Sequence, residues 1–298
     1  VSSSGYDFLM RNRFQYSALV VAAAVAVGAS ISSCSTEPPD NGAIVATTRV
    51  WADVASAVAG GDVDAIIAGD AVDPHHFEPT AKDIARIKSA STVVANGGAY
   101  DAALYTAAEQ DRVIFAIPPI DAHEAHEHGE HDHEHDELEH AWFSPEKIRQ
   151  VADAVAAKTG GDAAAVDERV SEAEAKLAAL PHMRIGMTEP IAAGLVQDTE
   201  LHDVTSAEYA KASLNHQEPS ASAIAEFLGQ IEHGELDILF INPQSANSAT
   251  ERLADAAKAH NVPVVEIRET PPSGENFLDY LEQIVDQVVD VAEPADHH

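Results

Sequence analysis

From residue 43 onward, short β-rich runs alternate with stretches whose apolar residues recur every three or four positions, the spacing of one helix face. Ala43–Thr48 (AIVATT), Val63–Ala68 (VDAIIA), Ser91–Ala95 and Val113–Ile117 read as strands. Between the first two, Trp51, Val54, Ala55 and Val58 share a helical face that ends at Gly60-Gly61. Thr80, with Asp83 three residues on, predicts a capped helix through Ile84 and Ile87, and a further helical segment is expected around Ala99–Gln110. Ser144-Pro145 predicts a helix start, with Ser as cap and Pro in the first turn; Ile148, Val151 and Val155 form its apolar face. Beyond Gly160-Gly161, Val166, Val170, Ala173, Leu177 and Leu180 repeat at helical spacing until Pro181.

A second strand–helix set follows. Arg184–Thr188, Asp237–Ile241 and Val262–Ile267 read as strands; Ser220–Ile231, Ala249–Ala259 and Phe277–Val291 read as helices. Such alternation predicts an α/β protein of two Rossmann-like lobes, 43–143 and 183–298, with mostly parallel sheets. A long helical segment over 144–182 joins them, and ligands of such sheets bind at the carboxyl ends of the strands.

The first 42 residues follow neither rhythm. Arg11 and Arg13 precede an apolar run, Ala18–Ile31, and then Ser32-Ser33-Cys34. This is the pattern of a secretory signal over residues 1–33, too short and too rich in Ala and Gly to span a bilayer as a helix. Ile31-Ser32-Ser33-Cys34 resembles a bacterial lipobox, which implies lipidation of Cys34 and anchoring to the outer face of the cytoplasmic membrane through acyl chains. Residues 34–42 then serve as a tether, and Met10 fits as an alternative start to Val1. As the single cysteine, Cys34 leaves no intramolecular disulfide and no thiolate-rich metal site.

Charge narrows the partners. Fifty acidic residues against 17 basic give a formal net charge of −33, which excludes nucleic acid and concentrates cations at the surface. Residues 121–140 hold seven histidines and nine acidic residues with no Lys or Arg, so the stretch cannot pack as a core element and reads as a solvated loop. Its imidazoles, His123, His126, His128, His131, His133 and His135 with His140 at its end, suit a low-affinity collector of transition ions. His131-Asp132-His133-Glu134-His135 matches a metalloprotease pattern in form, but a tract alternating His and acid produces that match by chance and lacks the amphipathic helix the chemistry needs.

Outside the tract, His75 lies on a loop after the second predicted strand, and Glu189 follows the strand that opens the second lobe. Asp73-Pro74-His75-His76-Phe77-Glu78-Pro79-Thr80, His140-Ala141-Trp142 before Pro145, Thr188-Glu189-Pro190, and the segment Glu269-Thr270-Pro271-Pro272-Ser273-Gly274 resemble the metal-binding lipoproteins of bacterial ABC-type zinc and manganese importers, the TroA-like solute-binding proteins. The resemblance covers residues 43–291. It implies an ion held between two lobes joined by a rigid helix, with His75, His140 and Glu189 as ligands. A fourth ligand is expected after the P-x-G turn, where this chain has Glu275 and Asn276; water or a tract histidine is the alternative fourth donor. Two imidazoles with one or two oxygen donors suit Zn²⁺ as bound cargo, and Mn²⁺ is the alternative, since it takes more oxygen ligands. The resemblance implies a monomer that serves a membrane permease. The alternatives are an extracellular zinc metallohydrolase using the same side chains with a bound water, and a surface protein that only buffers metal.

Overall fold

The computed structural model describes residues 43–69, 77–120 and 138–292. Two four-stranded parallel sheets make up the fold, and both have the same strand order, second-first-third-fourth. The first sheet contains β1 (Ile44–Thr48), β2 (Asp64–Ile67), β3 (Thr92–Ala95) and β4 (Val113–Phe115). β5 (Met183–Met187), β6 (Leu201–Asp203), β7 (Ile238–Ile241) and β8 (Val264–Glu266) form the second. Seven of the eight strands fall within or overlap the predicted runs. The exception is β6, a three-residue edge strand (LHD) that carries no periodic signal.

The helices follow the apolar spacing. α1 (Arg49–Ala59) buries Val50, Trp51, Val54, Ala55 and Val58 and stops at Gly60, whose φ of 72° is the left-handed closure a glycine accepts without cost. α2 (Ala81–Ser89) has the expected capping box: Thr80 Oγ1 accepts from the Asp83 N–H, and the Asp83 carboxylate accepts from the Thr80 N–H. The segment expected as a helix over Ala99–Gln110 shortens to α3 (Ala102–Tyr105) and a 3-10 turn, Gln110–Arg112. The link between the sheets is two helices, α4 (Pro145–Thr159) and α5 (Ala164–Ala178), broken where Gly160 takes a φ of 73°. Ser144 stands at the cap position of α4, but its side chain makes no cap hydrogen bond. It is buried instead against Gly194, where an added Cβ would come within 2.9 Å of it. The second half continues with α6 (Ala193–Val196), α7 (Ala207–Leu214), α8 (Ala221–Glu232), α9 (Ser248–Ala259) and α10 (Phe277–Ala292).

α10 does not stay with the second sheet. It buries Phe277, Leu278, Leu281, Ile284, Val285 and Val288 and packs on α5 and α1 as well as β8. The main hydrophobic core is therefore continuous, running from Ala46 and Trp51 through Val151, Val170 and Leu177 to Ile238 and Val288. Polar ties reinforce this. The Asp53 carboxylate accepts from the Phe277 N–H at 2.8 Å, and the Arg49 guanidinium donates to the Glu275 carbonyl at 2.9 Å. Arg169 bridges α5 to Asp279 and Glu282 of α10, and Lys176 reaches Asp286. Ion pairs this exposed contribute roughly 0.2–1 kcal/mol each, so the apolar layer holds the halves together. Among the described residues, no helix is long and apolar enough to cross a membrane.

Candidate metal centre

In each sheet the chain leaves the first strand toward one side and the third toward the other, which opens a crevice at the carboxyl ends of those two strands. Polar residues gather at both crevices. After β3 the chain runs Asn96-Gly97-Gly98, with Gly97 at φ 94° pressed so close to Ile117, two residues past β4, that a Cβ would lie 2.0 Å from its carbonyl oxygen. Only glycine fits there. The turn brings in Asp101, whose carboxylate accepts from the N–H groups of Asn96 (2.7 Å) and Gly97 (2.9 Å) and from the Thr47 hydroxyl (2.5 Å). Burial pushes the Asp101 pKa up to about 6 despite these three donors.

Asn96, fully buried, is the next link. Its side-chain oxygen accepts from Trp51 Nε1 at 3.2 Å, and its amide nitrogen donates to the Glu139 carbonyl at 2.8 Å. The last residues of the histidine-acid tract are thereby fixed, and His140 enters the interior as the residue before a 3-10 turn, Ala141–Phe143. Its imidazole is buried, with the rings of Trp142 (5.2 Å) and Tyr100 (6.1 Å) edge-on to it.

The second crevice supplies the acids. Glu189 follows β5 by two residues, and its Oε1 lies 3.2 Å from His140 Nε2. The other oxygen accepts from the Asn242 amide at 2.9 Å and from the Ser245 hydroxyl. Asn242, the first residue past β7, also donates to Glu269 Oε1 at 2.8 Å, while the Tyr100 hydroxyl donates to Glu269 Oε2 at 2.9 Å. Ligating atoms of His140, Glu189 and Glu269 all lie within 4.8 Å of one another. One nitrogen and two carboxylates converging in the interior form a donor set for a divalent transition ion.

Electrostatics follow from that convergence. Burial opposes charge on His140, but its contact with Glu189, together with the negative charges of Glu189, Glu269 and Glu139, outweighs burial and raises its pKa. For Glu189 burial again opposes charge, and the His140 imidazole, Ser245 and Asn242 overcome it, bringing the carboxyl down to about 2. Tyr100, buried beside Glu269, has its pKa raised first by burial and then by that carboxylate, so it stays a hydroxyl donor.

Of the residues singled out in the sequence, the structure brings His140 and Glu189 together. His75, Cys34 and the tract histidines His123, His126, His128, His131, His133 and His135 lie outside the described residues. Glu275 and Asn276 are engaged at the start of α10. The Glu275 carboxylate takes the Gln283 amide, and Asn276 Oδ1 accepts from the Leu278 N–H at 2.9 Å, as a helix cap does. The second acid of the cluster is Glu269, which the sequence reading passed over. Its signal was present: Glu269 stands three residues past β8, at the same strand edge as Glu189 and Asn242, and opens the Glu269-Thr270-Pro271 segment.

A doubly wound pair of α/β halves with a buried His–carboxylate cluster defines a metal-binding solute-binding protein. Residues 44–291 match the family described as zinc-uptake complex component A, periplasmic (ZnuA), and the chain belongs to that family, whose members are binding components of importers and not enzymes. Solved structures share the fold at low identity. The periplasmic zinc-binding protein TroA from Treponema pallidum superposes with a TM-score of 0.63 at 19% identity, covering 84% of this chain and 99% of that one. For a crystal structure of ZnuA the values are 0.61, 16%, 84% and 98%. For FpvC from Pseudomonas aeruginosa in complex with Mn²⁺ they are 0.58, 19%, 84% and 97%. No curated protein matches the sequence significantly.

Proposed function

We propose that this protein captures Zn²⁺ outside the cytoplasm and delivers it to the permease of an ABC-type importer. The observation that carries this reading is the buried cluster of His140, Glu189 and Glu269, fixed by Tyr100 and Asn242. His75, which lies between β2 and α2 in the sequence, supplies the further imidazole, so that two nitrogens and two carboxylates bind the ion. Glu275 and Asn276 serve the start of α10 rather than the ion. The tract histidines collect ions at low affinity and pass them inward through His140, the residue common to tract and cluster. Cys34 carries lipid and holds the protein, as a monomer, at the outer face of the cytoplasmic membrane.

Competition against a calibrated chelator tests the site. His75→Ala is expected to abolish tight binding, and deletion of residues 122–138 to lower stoichiometry while leaving the tight phase. A tight phase that survives His75→Ala would remove that residue from the set. Mn²⁺ is the second reading, favoured by the two carboxylates of the cluster, since oxygen donors suit it better than imidazole does. Elemental analysis of protein purified from its own host separates the two metals. Growth of a deletion strain under zinc chelation separates import from mere buffering.

A further inference from the structure

A second group of metal-ligating side chains lies at the opposite end of β5. His182 immediately precedes that strand, and Glu200 and His202 flank and occupy the edge strand β6. The strands are parallel, with Met183 beside Leu201 and Arg184 beside His202. His182 therefore stands beside Glu200, and the period of two puts His182, Glu200 and His202 on one face of the sheet. The rings of His182 and His202 are 4.6 Å apart, His182 Nδ1 is 3.9 Å from Glu200 Oε2, and ligating atoms of all three lie within 4.8 Å of one another. All three side chains are exposed. Arg184, on the same face, is paired with Asp237, which accepts two of its side-chain N–H groups at 2.7 and 3.1 Å.

From this juxtaposition we infer that His182, Glu200 and His202 form a second divalent-metal site, independent of the central cluster. Two imidazoles and a carboxylate are the donors of a borderline ion such as Zn²⁺, Ni²⁺ or Cu²⁺ and not of Mg²⁺ or Ca²⁺. A tetrahedral ion with bonds of about 2.0–2.1 Å sets its donors roughly 3.3 Å apart, so rotation of exposed side chains closes the present gap while water completes the shell. His182 and Glu189 are seven positions apart along near-extended chain, on the order of 20 Å, which excludes one ion serving both places. The ion would clamp β6, whose three residues are otherwise held only along one edge by β5, and bind with modest affinity because the donors must be drawn out of water.

The test is a titration of the full chain, labelled with ¹⁵N-histidine, with ZnCl₂, and separately with MgCl₂. His182→Gln and His202→Gln assign the two ring signals. Both rings are expected to shift together and saturably with Zn²⁺ and to ignore Mg²⁺. Glu200→Ala is expected to weaken that response by about tenfold or more, by analogy with the loss of partners around other metal sites. In His202→Gln the His182 ring is expected to lose the response in the same range. Rings of His182 and His202 that stay unmoved while the tract histidines shift would overturn the site. So would an unchanged His182 titration in His202→Gln. The central cluster plays no part in either readout, so the proposal stands or falls apart from zinc import.

Discussion

His140 Nε2 and Glu189 Oε1, 49 positions apart in sequence, face each other across 3.2 Å in the interior, each brought there by a different half of the molecule. The contact sets what an incoming ion must displace. Glu189, with its pKa near 2, is ionised at any ordinary pH, whereas His140, with its pKa raised, keeps a proton to higher pH than a free imidazole. Coordination needs the neutral ring.

Metal uptake should therefore release a proton, and apparent affinity should keep rising with pH above about 6.5, the ordinary value for imidazole. Calorimetry of Zn²⁺ binding near pH 7 in buffers of different ionisation enthalpy measures the release directly; a buffer-independent enthalpy would contradict it. Stability of the metal-free protein runs the other way. The raised pKa of His140 contributes stability that is present below its unfolded value and is lost as pH rises through the folded one. The Glu189 contribution is already present above its unfolded value and is lost only as pH falls toward about 2.

Asn242→Ala removes the amide shared by Glu189 and Glu269. Zinc affinity should fall by about 10–100-fold, the usual cost of losing a partner that orients metal ligands. Chelator competition measures it, and an affinity within twofold of wild type would show that Ser245 and Tyr100 suffice.

Gly97→Ala forces a Cβ against the Ile117 carbonyl at a residue with φ 94°. Clash and strain together should cost more than about 2 kcal/mol, lowering the denaturant midpoint without changing its slope. Gly234, also at positive φ but with open space around it, should tolerate Ala at a smaller cost, from strain alone.

Asp53→Ala deletes the acceptor for the Phe277 N–H at the start of α10. The expected loss is about 0.5–2 kcal/mol, typical of a helix cap, read as a lower apo melting temperature. Because burial already raises the Asp53 pKa, the neutral acceptor in Asp53→Asn should retain most of that stability.

Strands and helices with long runs or strong caps were legible in the sequence, because burial on two faces demands apolar residues and a helix start demands particular polar ones. Val93 and Val94 of β3 and the Thr80–Asp83 box are examples. β6 and α7 were not legible: a three-residue edge strand and an eight-residue helix with only Tyr209 buried leave too little pattern. The site was half legible. His140 and Glu189 sit in local motifs, but Glu269 is distinguished only by its neighbours, Tyr100 and Asn242, which are 169 and 27 positions away. The P-x-G turn beyond it points instead to Asn276, whose position a helix cap explains.

The return of α10 to the first half has a consequence for how the chain is made. Asp53 meets Phe277 across 224 positions, so the parts of α1 and α5 that pack on α10 stay uncovered until residues 277–292 have been synthesised. Pairings this distant in sequence form slowly. A nascent chain can build local turns and helices, but it cannot complete this core while α10 is still in the ribosome. For a protein exported as proposed above, that delay would leave the chain open to a translocation channel, with the sixteen-residue α10 completing the core afterwards.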